Sequence, residues 1–163
     1  MNSRALVWVA ILTFWICGGL NEGLAKDIAI FGAQPDFLIV ATVVISMLSD
    51  MRGAAVAGFT GGFFQGAITG ANMWQYVVTR LIVGWIGGSI IELRFQRNAM
   101  IAAMACFVAS ILAGLVFLFL TSQPNILGSL RDTLISAMYN AVLAALVFAP
   151  VEKLSGVKTR QLS

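Results

Sequence analysis

The sequence predicts an all-α integral membrane protein, a single domain over residues 1–163 in which six transmembrane helices form one compact bundle. Three observations predict it. First, 60% of the residues are hydrophobic and 10% are charged, with a mean hydropathy of +0.92. A soluble domain carries about 25% charged residues, so there is too little charge here to cover a water-facing surface. Second, six apolar runs alternate with short polar links. Third, small residues recur at every fourth position in several runs. Glycine costs a soluble helix about 1 kcal/mol relative to alanine, whereas in a bilayer it lets two backbones approach closely.

Taken in order, the first run spans residues 5–24 and follows Arg4. A cleaved leader would end on a small-residue site, but here Cys17, Gly18 and Gly19 are followed by Leu20 and Asn21, so the run reads as a retained helix. Ala25 to Gln34 is a polar-interrupted link. The second helix is expected at 35–49, with Pro35 at the first helical position and Asp36 in the first turn, where a carboxylate suits the helix dipole. It is short for a span, which leaves the preceding link available to extend it. Asp50 to Gly53 reads as a tight turn.

The third helix, 54–70, places Ala54, Gly58, Gly62, Gly66 and Gly70 four residues apart, a strip with almost no side chain. Ala71, Asn72 and Met73 form a very short turn, so the fourth helix, 72–91, is an antiparallel neighbour with its own pair at Gly84 and Gly88. After the charged link Glu92 to Asn98 comes 99–121, with a small-residue row at Ala102, Cys106, Ser110 and Gly114. Pro124, Asn125 and Gly128 supply turn chemistry between Ser122 and Arg131. The sixth helix is expected at 132–151, with Thr133, Ala137, Ala141, Ala145 and Ala149 as a second strip and Pro150 at its end. Alanine rows also arise from helix propensity alone; glycine rows do not. A basic polar tail follows from Glu152 to Ser163.

The Lys and Arg distribution sets topology. With the N-terminus inside, the inner segments hold Arg4, Arg52, Arg94, Arg97, Lys153, Lys158 and Arg160, and the outer ones hold Lys26 and Arg131. Both ends are therefore expected in the cytoplasm. Basic residues this scattered do not make a nucleic-acid surface.

All seven carboxylates, Glu22, Asp27, Asp36, Asp50, Glu92, Asp132 and Glu152, fall at or beyond the expected helix ends. That pattern lacks the mid-span acid of a proton relay or ion-coupled exporter. There is no His, and Cys17 and Cys106 lie singly in apolar runs, so no metal site, disulfide framework, cofactor or catalytic pair is expected, and no enzyme. Arg80 is the one ionisable group well inside a span. It lies eight residues below Asn72, about 12 Å, and Asn140 lies eight below Asp132, with Gln65 slightly shallower. One reading has Arg80 reach outward to Asp132 or to carbonyl oxygens. The other gathers Gln65, Arg80 and Asn140 into a polar layer of an outward-facing pocket, with Gln75, Tyr76 and Thr79 nearby, so that Arg80→Leu costs partner binding or activity rather than insertion.

Three stretches together resemble one family. They are QPDFLIVATVVISMLSDMRGAAVAGFTGGFFQGAITG, then TRLIVGWIGG, then AMYNAVLAALVFAPVEKL, covering roughly residues 35 to 154. Their Pro-Asp opening, Arg-Gly turn, glycine-rich third helix and Tyr139-Asn140-Ala141 ending are similar to the MreD family, the small integral membrane subunit of the bacterial rod-shape machinery. The resemblance implies a fold like the substrate-binding subunit of energy-coupling-factor transporters and an inner-membrane protein without enzymatic activity. It implies action with MreC, a bitopic periplasmic protein, in the elongation complex that includes MreB, RodA and its partner transpeptidase and supports lateral peptidoglycan synthesis and cell shape. Many members carry an acidic residue near the end of helix three, where this chain has Gln65 and Gly66.

On this reading the small-residue positions Gly58, Gly62, Gly66, Gly70, Gly84, Gly88, Ala137, Ala141 and Ala145 serve helix packing or dock a partner helix such as the single span of MreC. The alternative is the solute-binding S component of a vitamin transporter, with a ligand in the outward pocket. A small ion channel or exporter is a third possibility. Ligand-induced thermal stabilisation, screened across vitamins, discriminates the first two.

Overall fold

The computed structural model describes residues 3–70, 73–93, 95, 97–121 and 124–155. They form six α-helices, α1 (Ser3–Gly23), α2 (Phe37–Leu48), α3 (Met51–Thr69), α4 (Met73–Glu92), α5 (Ala99–Leu120) and α6 (Ile126–Ser155), with no strand among the described residues. The predicted turn residues Ala71 and Asn72, and the topology residues Arg94, Lys158 and Arg160, lie outside the described residues.

Side-chain caps start four of the six helices, α2, α3, α5 and α6, and five expectations about boundaries are corrected. Asp36 is the N-cap of α2, accepting from the Ile39 amide at 2.9 Å, so Pro35 precedes the helix instead of opening it. The link before α2 does not extend it: residues 24–36 turn back on themselves. Asp50 caps α3 by accepting from Gly53 at 2.9 Å, which makes Met51, Arg52 and Gly53 the first helical turn and not a separate reverse turn. Asn125 accepts from the Gly128 amide at 3.0 Å, so the turn chemistry there starts α6 six residues earlier than expected and Arg131 lies within it. Pro150 sits inside α6, which continues to Ser155.

The bundle is built around α2. All twelve of its residues are buried, and it touches each of the other five helices. Val43, Met47 and Leu48 pack with Ala102, Cys106 and Phe148 on one side, and Leu38, Ala41 and Ile45 with Phe14 and Ala57 on the other. The tightest helix pairs are α3 with α4 and α5 with α6.

The glycine strip forms the seam between α3 and α4. A Cβ at Gly58 would lie 2.5 Å from the Arg80 carbonyl oxygen, and one at Gly62 would lie 2.5 Å from Val77 Cα. At Gly66 it would meet Met73 Cα at 2.7 Å; from the other side, a Cβ at Gly84 would meet the Ala54 carbonyl at 2.5 Å and one at Gly88 the Ala54 Cβ at 2.8 Å. These five positions are therefore spent inside the bundle. Gly70 is not part of the seam: nothing lies within 4 Å of its would-be Cβ, and its φ of +67° makes it the left-handed cap that ends α3.

The α6 row also departs from expectation. The buried face is Ala137, Asn140, Ala144, Phe148, Val151 and Ser155, while Ala141 and Ala145 are half-buried and Ala149 is exposed. A strict four-residue row drifts by about 40° per step on a helix of 3.6 residues per turn, so it leaves the core face after a few turns. Near its start, Thr133 fits against Gly114 of α5.

The outer surface is apolar. Trp8, Leu12 and Trp15 of α1, Val56 and Phe59 of α3, Trp74 and Trp85 of α4, Met100 and Met104 of α5, and Leu134, Met138, Val142 and Leu146 of α6 all face outward. The buried set, by contrast, includes Arg80, Gln65, Asn140, Thr42 and Thr79. The helices α5 and α6 are long and apolar enough to cross a membrane.

Gly62→Leu should force α3 off α4, since the clash is with backbone, and lower stability by about 1–3 kcal/mol or more. Gly19→Ala, which meets nothing within 4 Å, should be neutral. Thermal unfolding in detergent checks both, and an unchanged melting temperature for Gly62→Leu would contradict the seam.

Candidate functional site: a buried ion pair beneath a polar cavity

Arg80 projects from α4 into the bundle and is 3% exposed. Its Nη2 donates to Asp36 Oδ2 and to Gln65 Oε1, and Gln65 Nε2 donates to the same Asp36 oxygen at 3.4 Å. Arg80 thus pairs with Asp36 and not with Asp132, and the carbonyl oxygen it meets among the described residues is that of the Gln65 side-chain amide. Its counter-charge is the carboxylate that also caps α2. Asp132 instead pairs with its neighbour Arg131 at 3.5 Å.

Asn140 joins the cluster from α6. Its Oδ1 accepts the Asp36 backbone N–H at 2.8 Å and its Nδ2 donates to Ser110 Oγ on α5 at 3.0 Å. Of the three polar residues predicted from sequence, Gln65 and Arg80 meet directly, and Asn140 meets them through Asp36. Asp36 and Ser110 are the members that sequence reasoning missed. The signal for Asp36 was available in the length of α2: twelve residues span about 18 Å, so a helix whose far end is at one surface must begin inside the bundle.

The segment before α2 is strapped to α6. Arg131 donates to the Phe31 carbonyl at 2.7 Å, Ser136 to that of Gln34 at 2.7 Å, and Tyr139 to that of Ile28 at 2.9 Å. On the other side, Asn21 of α1 accepts the Phe37 amide at 2.9 Å. The reversal is made at Phe31 and Gly32, with φ of +54° and +88°, closed by paired bonds between Ile30 and Ala33. Phe31 is the only non-glycine residue with positive φ among the described residues, and its carbonyl is held by Arg131.

Above the ion pair lies a cavity of about 370 Å³. Asp36, Gln65, Arg80, Ser110 and Asn140 line it, together with Gln34, Tyr76, Thr79, Phe117, Asp132, Thr133 and Ser136. Gln75 is buried beside this region and ties α4 to the end of α5 by donating to the Leu120 carbonyl at 2.8 Å. Arg80 Nε and Gln75 Oε1 are buried with no partner among the described residues. Buried polar groups of this kind are normally met by ordered water, and a polar cavity has room for it.

No protein-family model, curated protein or solved structure matches this chain.

Breaking a buried pair by removing one partner strands the other charge and costs about 3–5 kcal/mol. Asp36 keeps a 21% exposed side chain, which places Arg80→Leu at the low end of that range. The variant should lose melting temperature in detergent, while Glu22→Gln, which removes only a surface pair with Lys26, should not. Equal melting temperatures for Arg80→Leu and the unaltered protein would contradict the pairing.

Proposed function

We propose that the protein is a six-span inner-membrane subunit of the MreD type, non-catalytic, with both termini in the cytoplasm, acting with MreC in the complex that builds the lateral cell wall. The observation that carries this reading is convergence. Asp36 and Gln65 come from the first stretch that resembles the family, Arg80 from the second and Asn140 from the third, and the four form one cluster. Three stretches spread over residues 35 to 154 thus contribute to one arrangement, which is a reason for them to occur together in a sequence.

The outward apolar faces of five helices around a buried α2 support a bilayer setting, since lipid is the solvent such a surface suits. The glycines of α3 and α4 are spent on their own seam, so a docking role for Gly58, Gly62, Gly66, Gly84 and Gly88 is not proposed. The partner face moves to α6, where Ala141, Ala145 and Ala149 lie beside exposed Val142 and Leu146. A single membrane span laid along this face gains close packing without displacing any part of the bundle.

The test is expression of a tagged copy in a rod-shaped bacterium depleted of its own MreD, followed by purification from native membrane. MreC should copurify and rod shape should return, and Ala145→Trp should weaken copurification without lowering the melting temperature. Round cells and a preparation free of MreC, stabilised instead by a transported vitamin, would contradict the proposal.

A further inference from the structure

The floor of the cavity holds an unmet donor. Arg80 is 3% exposed and lines the cavity, and its two protein acceptors, Asp36 Oδ2 and Gln65 Oε1, both sit on Nη2. Its Nε is buried with no partner among the described residues, although a guanidinium donates from all three nitrogens. Asp36 is already spent: Oδ1 accepts the Ile39 amide, and Oδ2 accepts from Arg80 and Gln65. A molecule that settles on this floor must therefore bring an acceptor.

Charge decides which acceptor. Asp36 balances Arg80 at the floor, and toward the far end Asp132 is balanced by Arg131 at 3.5 Å. The site is therefore neutral as a whole. An ammonium group would meet the N–H groups of the guanidinium. A carboxylate would lie beside Asp36 on one guanidinium, and like charges that close disfavour each other. A purely apolar molecule would leave the buried donor stranded. A neutral hydroxyl or carbonyl oxygen meets Nε without adding charge, in the place an ordered water would otherwise take.

Size and walls narrow the class further. At about 370 Å³ the cavity falls within the range of small-molecule sites, and along α6 it runs from Ser129 to Asn140, eleven residues or about 16 Å. One wall carries the rings of Tyr76 and Phe117, with centroids 5.2 Å apart, and the hydroxyls of Ser110 and Thr133 also line the hollow. An aromatic face is negative and attracts weakly positive C–H groups, while the hydroxyls and Arg80 ask for polar atoms. A sugar ring has both, C–H groups on its face and oxygens around its edge.

We propose that this cavity binds a neutral sugar ring, with one ring substituent oxygen accepting from Arg80 Nε and the C–H face against Tyr76 and Phe117. The ring arrives either as the headgroup of a glycosyl-diacylglycerol lipid or as a free monosaccharide. The inference adds a ligand site to the scaffold role and does not depend on which partner that role serves.

The experiment uses the purified full-length protein in phosphatidylcholine nanodiscs, with or without monoglucosyl-diacylglycerol. Native mass spectrometry measures the glycolipid retained. Calorimetric titration in discs of phosphatidylcholine alone measures free glucose, with glucuronate as the carboxylate-bearing comparison. Enrichment of the glycolipid above its share of the disc identifies the lipid source, and glucose binding in its absence identifies the soluble one. In either case Arg80→Lys, which keeps a positive charge for Asp36 but removes the Nε donor, should weaken binding by about tenfold or more. Ser129→Trp, which fills the cavity from its far end, should abolish binding with the melting temperature kept, and it serves as the test if Arg80→Lys does not assemble. Failure of the unaltered protein to retain either sugar, glucuronate binding as tightly as glucose, or undiminished binding by Ser129→Trp overturns the proposal.

Discussion

A guanidinium carries its charge wherever the chain puts it, and one that is 3% exposed must find its counter-charge on the spot. Here the counter-charge is Asp36, and much of the bundle follows from that requirement. The helix that Asp36 caps has to begin at the depth of Arg80, so α2 is twelve residues long and the chain ahead of it must descend into the bundle. Irregular backbone inside a bundle has to have its polar groups met. Tyr139 meets a half-buried carbonyl of that segment and Asn21 and Asn140 meet two amides at its end, while Arg131 and Ser136 hold two carbonyls at its exposed rim.

The same requirement explains the glycines. Gln65 on α3 reaches Arg80 on α4 because the two helices are in backbone contact at Gly58 and Gly62, where a methyl group would lie 2.5 Å from the facing chain. Close packing and charge burial are therefore one device. The seam brings an amide within reach of the guanidinium, and the amide helps to hold the guanidinium and carboxylate together. Placing such a cluster in the core while Trp, Phe, Leu and Met residues face outward reverses the usual distribution of polarity in a protein in water.

Six helices could be read from the sequence because each apolar run is long and strongly biased, and their order was legible without error. What escaped was the cap chemistry. Asp50 and Asn125 looked like turn residues, which they are in a sense, but each ends its turn by starting a helix at the next residue. The role of Asp36 was hidden for a related reason: a carboxylate at a helix end reads as surface unless the helix is recognised as too short to reach the surface. Gln65, Arg80 and Asn140 were legible as a layer because depth follows from counting residues along a helix. Which of them touch was not, since that depends on the rotation of each helix about its axis. Rotation also took Ala149 off the core face, as a strict four-residue repeat must do over several turns.

If the bundle is organised by this one pair, the proposed scaffold role and the cavity have a common base. The pair seals the inner end of the hollow, and the helices it locks together present the faces that a partner span would use. A double-mutant cycle on Arg80→Leu and Asp36→Asn, read from unfolding free energies in one detergent, tests that claim most directly. The account predicts strong coupling, with the double variant losing much less than the sum of the two single losses. Additivity within about 0.5 kcal/mol, the behaviour of independent sites, would contradict it.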